Sequence, residues 1–305
     1  MTIGLTAHDF RSAIHALGIS GRVVCLHSSL QRFGRIRVVC LHSSLQSFGR
    51  INAPSPQGAA QLIINAFLSE GCTVLVPTFS RIFEVFPPPS AMFIPHNALD
   101  IKNINRLWYD YLVAVRYEYK APHFTPQVQA LDIKDMGIIP TTLVQMEGHV
   151  RGNHPLMSFS AIGDKAESLV ATQTPQDGYA PMRELIAQNG VVGLLGVGYE
   201  RMSLLHYAEK VAGRRLFIRW ASDEHGEIIN AEVGGCSNGF GKFTSALNPL
   251  ANLAIVGKSL WRFFEAQPLV ERASDLIRKT PTITQCDNPS CPFCRDVLSQ
   301  NLPSD

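Results

Sequence analysis

No uninterrupted apolar stretch in this chain approaches the length that spans a bilayer, so a membrane-embedded protein is not expected. There is no Lys/Arg run, and a formal charge of +2 with a pI near 8.2 gives no reason to expect nucleic acid as a partner. No basic segment followed by an apolar one opens the sequence, so no secretory signal is expected and the cytoplasm is the default compartment. Three glycine fingerprints are missing as well: G-x-G-x-x-G after the first strand, the Walker loop and the G-x-S-x-G elbow. Their absence argues against a dinucleotide-dependent dehydrogenase, a kinase and a serine hydrolase. Cysteine is present in an odd number, seven, and Cys25, Cys40, Cys72 and Cys236 lie in strand-like or glycine-rich context. That fits buried reduced thiols better than a disulfide framework.

What is present is enough apolar residue, 46% of 305, to bury a large core. Thr6-Ala7-His8-Asp9 resembles a capping box and opens a helix through Leu17, closed by Gly18. Arg22–Leu26 is a strand leading into His-Ser-Ser-Leu. Arg22–Ile36 then recurs as Arg37–Ile51, differing only at Arg32 and Ser47. Two copies are too few for a solenoid, and only one can occupy a given place in a fold. The second is assigned the working role, because it runs directly into the next helix. Gln57–Leu68 is amphipathic and helical, and Cys72–Val76 is a buried strand ending at Pro77-Thr78-Phe79-Ser80. This alternation predicts an α/β fold with a mostly parallel central sheet flanked by helices. Hydroxyls at the strand ends then line a crevice.

The chain is expected to form a single domain, 1–305. Residues 83–126, rich in proline and aromatics, read as an excursion that shapes a pocket or covers it. Asp132–Val144, Lys165–Ala171, Tyr179–Gln188 and Leu269–Lys279 read as helices, and Gly148–Gly163 as loop, then strand. Arg215–Trp220 and Glu227–Ala231 read as an antiparallel pair in the C-terminal portion.

Chemistry concentrates in Leu194–Glu209, LLGVGYERMSLLHYAE. A buried strand end, Val191–Leu195, meets a glycine-rich turn at Gly196-Val197-Gly198, where the backbone can approach a ligand, and then a helix. His206 and Glu209, three apart, share a helix face, so the carboxylate can orient the imidazole. With Ser203 as cap, the helix N-terminus favours neutral imidazole while Glu209 favours the charged form, a balance suited to a general base. The same spacing also serves a plain ion pair or, with His154, a metal site, although no second matching pair completes the coordination. His154 precedes Pro155 in a loop whose Arg151 and Gly152 can hold a phosphate or carboxylate. Ser43 and Ser44 can bond a ligand or merely cap a helix. Cys286-x4-Cys291-x2-Cys294 is three-quarters of a zinc knuckle, with Cys236 or a histidine as fourth ligand; reduced thiols in a tail are the preferred alternative.

Six pieces occur in one order: Val39–Gly49, Cys72–Ser80, Asp135–Pro140, Arg151–Gly163, Tyr179–Leu185 and Leu194–Glu209. Gly234–Phe240 extends the set weakly. Together they resemble the aminoglycoside 3-N-acetyltransferase family, acetyl-CoA-dependent enzymes distinct from the GNAT fold. The resemblance implies an α/β fold with acetyl-CoA as co-substrate in a cleft and an aminoglycoside-like amine as acceptor. It implies His206 and Glu209 as catalytic, with the hydroxyl of Ser203 nearby, where many members carry a Thr pair in place of Met202-Ser203. Ser43, Ser44, Val76, Thr78, Arg151, His154 and Ser158 are then the residues approaching CoA, and no metal is required. Glu84, Asp100, Asp110 and Glu118 in the excursion are candidates for attracting a polycation. A homodimer is compatible with this reading. Alternatives are a silent CoA-binding relative, spoiled by the duplication, and a metal-dependent hydrolase using His206, Glu209 and His154.

Overall fold

The computed structural model describes residues 4–27, 45–85, 120–291 and 293–294. Ser43, Ser44, Asp100, Asp110, Glu118 and the strand of the second repeat copy therefore lie outside the described residues.

Ten strands are described: β1 (Val23–His27), β2 (Thr73–Pro77), β3 (Glu84–Val85), β4 (Val150–Arg151), β5 (Phe159–Ile162), β6 (Val191–Leu195), β7 (Phe217–Ser222), β8 (Ile228–Val233), β9 (Asn252–Val256) and β10 (Ser259–Glu265). Seven form one sheet in the order β4-β5-β2-β1-β6-β10-β9, and β3-β7-β8 form a second, antiparallel sheet. In the large sheet only the pairings of β1 with β2 and with β6 are parallel; those of β2 with β5, β5 with β4, β6 with β10 and β10 with β9 are antiparallel. The expectation of a mostly parallel sheet is corrected to a mixed one. The cause is local: β9 and β10 form a hairpin around Gly257-Lys258, which cannot connect parallel neighbours. The antiparallel pair of β7 and β8 stands where the sequence placed it.

Side-chain alternation sorts the core. In β1, Val23 and Cys25 face one apolar cluster while Val24 and Leu26 face the other. Three helices cover the second face: α1 (Ala7–Ala16), α3 (Pro56–Ser69) and α5 (Ile138–Leu143), through Phe10, Ile14, Ile63, Phe67 and Leu143 around Trp261. The first face is covered by α6 (Ala166–Val170), α7 (Ala180–Ala187), α8 (Leu204–Val211) and α9 (Ala266–Lys279), through Leu169, Leu185, Leu205, Val270 and Ile277. Each fully buried Leu, Ile or Phe of these faces contributes roughly 1.5–3 kcal/mol of transfer free energy.

Capping follows the sequence. The Thr6 N–H donates to Asp9 Oδ2 at 2.7 Å at the start of α1, and Ser55 Oγ accepts from the Gly58 N–H at 3.0 Å at the start of α3. The segment read as one helix over 132–144 is two, α4 (Ile133–Met136) and α5, separated at Gly137, whose φ of 81° no helix accommodates.

The repeat is used unexpectedly. The strand in the sheet is from the first copy, β1, whereas the short helix that follows, α2 (Leu45–Phe48), is from the second. Assigning the working role wholly to the second copy is thus corrected. The two strand sequences are identical, so the sheet has no side-chain basis for preferring either.

Candidate active site

The carboxyl ends of two of the parallel strands, β2 and β6, point at one cavity of about 720 Å³. After β2, Pro77, Phe79 and Arg81 line it; after β6, Glu200, Arg201, Met202, Ser203 and His206 do. Gly234, Gly235 and Cys236, following β8, complete the wall together with Asn288, Cys291 and Phe293.

His206 is the third residue of α8, and its Nδ1 donates to Glu209 Oε2 at 2.7 Å. Both side chains are buried, so this pair is shielded from the water that weakens a surface ion pair. With Nδ1 engaged, Nε2 is the nitrogen left for a bound molecule. Phe240 packs on the imidazole with ring centroids 4.7 Å apart, and Tyr179 stands 6.0 Å away. The close approach of the 234–236 wall requires glycine: a Cβ at Gly234 would lie 2.4 Å from Tyr179 Oη and 2.9 Å from His206 Cδ2.

Arg214, which the sequence reading did not single out, completes the arrangement. It donates to Glu209 Oε1 at 2.8 Å and to Thr284 Oγ1 at 2.6 Å, and also bonds the Pro281 carbonyl. Its only sequence signal is a position five residues past Glu209, at the exit of α8.

Ser203 lines the cavity at the N-cap position of α8, but its side chain makes no capping bond, contrary to the sequence expectation. The glycine-rich turn also acts differently from expectation. Gly196 has φ +69°, and a Cβ there would meet Ser47 Oγ at 2.3 Å and Ser259 Oγ at 2.6 Å. Its tight approach is to the protein's own chain rather than to the cavity.

The residues assigned to CoA separate clearly. Val76, Thr78, Arg151, His154 and Ser158 are all buried and none lines the cavity. Strand alternation explains the first two, since Pro77 and Phe79 point to the cavity and their neighbours point away. Thr78 Oγ1 lies 3.1 Å from Ser158 Oγ and 3.0 Å from Ser160 Oγ. The Arg151 guanidinium donates to Ser158 Oγ, to the Thr78 carbonyl at 2.8 Å and to the carbonyls of Val128 and Ala130. Four of its five N–H donors are spent on the protein, so this geometry lends the phosphate-binding expectation no support. His154 Nδ1 accepts from the N–H groups of Leu156 and Met157, and Nε2–H donates to the Glu232 carbonyl at 2.8 Å. Burial pulls its pKa down to about 4, so it is a neutral clamp on its own loop. Both of its nitrogens being used, the metal-hydrolase alternative loses its third ligand.

Carboxylates gather at the cavity instead. Asp132, Asp135, Glu84 and Glu200 line it, and of these only Glu84 belonged to the sequence candidates. Glu84 is buried, with Arg219 Nε 3.9 Å from its Oε1. Burial pushes the Asp132 carboxyl up, while the Arg81 N–H that it accepts at 3.0 Å pulls the other way.

The geometry defines a class: an α/β protein presenting a buried histidine–carboxylate pair to a cavity lined by four carboxylates and three arginines at the ends of parallel strands. A family profile described as aminoglycoside 3-N-acetyltransferase matches residues 40–278, and the chain belongs to that family. It is 34% identical over 130 residues to aminoglycoside N(3)-acetyltransferase IX of Micromonospora chalcea. That alignment covers 42% of this chain and 44% of the relative, so the chain spans less than half the length of the curated relative it matches. Its fold is similar to that of aminoglycoside acetyltransferase AAC(3)-IVa in complex with a gentamicin, at TM-score 0.69 and 18% identity, covering 97% of this chain and 99% of that one. It is also similar to AAC-IIIb in binary complex with CoASH, at TM-score 0.62 and 20% identity, covering 91% and 97%. At those identities the likeness is one of fold.

Proposed function

We propose that this chain transfers an acetyl group from acetyl-CoA to an amine of an aminoglycoside or related amino sugar, by direct attack in a ternary complex. The observation that carries the reading is the buried His206–Glu209 pair, with Nε2 left over, at a cavity lined by four carboxylates. Family membership supplies the reaction class, and the ligands named for the two solved relatives match it in kind.

His206 takes a proton from the acceptor amine through Nε2 as the amine nitrogen attacks the thioester carbonyl carbon. Glu209 holds the ring and balances the imidazolium that forms. Such help is worth about 10²–10⁴ in rate. The carbonyl oxygen becomes an oxyanion, for which the uncapped hydroxyl of Ser203 is the donor, worth roughly 3–4 kcal/mol if aimed well. Collapse breaks the C–S bond, and the CoA sulfur leaves with the proton held by His206. The carboxylates Asp132, Asp135 and Glu200 draw in a polycationic acceptor. Of the three arginines lining the cavity, Arg219 stands beside Glu84, and Arg81 and Arg201 are the cations for the phosphates of CoA, in place of Arg151. The single-domain organisation of residues 1–305 is part of the same proposal.

The test is mass spectrometry of an aminoglycoside panel incubated with acetyl-CoA and either the wild type or His206→Ala. One added acetyl group, abolished by the substitution, is the expected outcome. Acetylation surviving His206→Ala would discard the base. A second reading, a silent CoA-binding relative, is favoured by the surplus repeat unit. It predicts acetyl-CoA binding without turnover in the wild type.

A further inference from the structure

One cluster of reactive side chains takes no part in this chemistry. The Sγ atoms of Cys236, Cys286, Cys291 and Cys294 all lie within 4.8 Å of one another. Cys286, Cys291 and Cys294 are buried and Cys236 is half-buried. Three come from the segment at 286–294, and the fourth comes from the loop that follows β8.

Packing alone does not account for this convergence. Reduced cysteines used as small apolar residues have no reason to turn four sulfurs from two distant segments toward one point. A tetrahedral zinc ion does, since Zn–S bonds of about 2.3 Å put neighbouring sulfurs ~3.8 Å apart. Cys286 Sγ and Cys294 Sγ are already 3.6 Å apart. The Cys286 N–H points at Cys294 Sγ at 3.3 Å, the kind of backbone bond that relieves negative charge on a metal-bound thiolate. Asn288 shapes the knuckle: its carbonyl accepts the Cys291 N–H at 3.1 Å and its side chain accepts the Ser290 N–H at 3.0 Å. Phe293 packs against the cluster and meets Phe217 edge-on at 5.4 Å.

We infer that Cys236, Cys286, Cys291 and Cys294 form a closed four-thiolate site for a single zinc ion, which fastens the C-terminal segment to the wall of the active-site cavity. Four protein ligands leave no open position, so the ion is structural and takes no substrate. Binding requires the four thiols to release their protons to solvent.

The site touches the catalytic pair from two sides. Cys236 lies two residues beyond Gly234, which abuts His206. Cys286 lies two residues beyond Thr284, which accepts a hydrogen bond from Arg214, itself bonded to Glu209. Zinc therefore holds both the glycine wall and the anchor of Arg214. The inference does not depend on the acceptor or on acetyl transfer itself.

The experiment is elemental analysis of the full chain purified without chelator, followed by cobalt exchange. About one zinc per chain is expected. The cobalt form is expected to show the thiolate charge-transfer band and visible bands of a tetrahedral all-sulfur site. Cys291→Ser is expected to lower zinc retained after dialysis by roughly tenfold or more, whereas Cys236→His, which keeps four ligands, is expected to retain it. On chelation, amide exchange in 234–238 and 281–291 is expected to accelerate ahead of the central strands. A metal-free protein that takes up neither zinc nor cobalt under reducing conditions would overturn the site. So would a native mass showing the four cysteines joined as two disulfides, or zinc content indifferent to Cys291→Ser.

Discussion

Arg214 and His206 hold opposite oxygens of one carboxylate: Arg214 Nη1 lies 2.8 Å from Glu209 Oε1, and His206 Nδ1 lies 2.7 Å from Glu209 Oε2. Glu209 is thus fixed from both sides, and the imidazole inherits its orientation. Arg214 in turn is fixed by the 281–284 turn. Removing the guanidinium leaves the buried Glu209 carboxylate with only the imidazole. Arg214→Ala is expected to cost about 3–5 kcal/mol of stability, as breaking one side of a buried pair does. Urea denaturation reads this, and a loss under ~1 kcal/mol would show that Arg214 is dispensable to the pair.

His154 makes a pH prediction. Its folded pKa of about 4 lies below the unfolded value of 6.5, so between these the unfolded chain binds a proton that the folded chain does not. Stability from this residue is full above about pH 6.5 and falls as pH drops toward 4, by roughly 3 kcal/mol in all. Denaturation midpoints of wild type and His154→Gln, compared at several pH values in that window, are expected to converge as pH falls. Parallel curves would place the acid sensitivity elsewhere.

Gly196 is predicted to tolerate no side chain. An L-residue at φ +69° costs about 1–2 kcal/mol before contacts are counted. A Cβ would also displace Ser47 from its 3.0 Å bond to Ser259. Gly196→Ala is expected to lower stability by ~2 kcal/mol or more, with Gly241→Ala, which meets nothing within 4 Å, as the mild control.

Acceptor recognition through carboxylates predicts a KM effect. Asp132→Asn is expected to raise KM for a polycationic amino sugar roughly five- to tenfold with little change in kcat, and to flatten the salt dependence of kcat/KM. Unchanged KM at low salt would remove Asp132 from the acceptor site.

The repeat predicts a harmless excision. Deleting residues 28–42 joins His27 to Ser43-Ser44 and keeps both described pieces, β1 and α2. Shortening the connection is expected to stabilise the fold by up to ~2 kcal/mol through loop-closure entropy. Loss of folding on this deletion would mean that the surplus unit is needed.

Much of this protein was legible along the chain because it depends on neighbours in sequence. Helix periodicity placed α3, a capping residue placed the start of α1, and the i to i+3 spacing put Glu209 on His206. The zinc-knuckle spacing of three cysteines is local in the same sense. Tertiary structure alone decided what depends on distant partners. Strand direction in β5, β9 and β10 follows from pairing, which a short apolar run does not encode. Whether a polar side chain serves a ligand or the protein depends on which face of a strand it occupies and what packs there. Arg151, His154, Thr78 and Ser158 have the residue types of a binding site, yet burial gives all of them to the protein's own groups. Asp132 and Arg214 carry no motif of their own and Gly234 only a weak one, and all three acquire their places only when β2, α8 and the loop after β8 converge on one cavity.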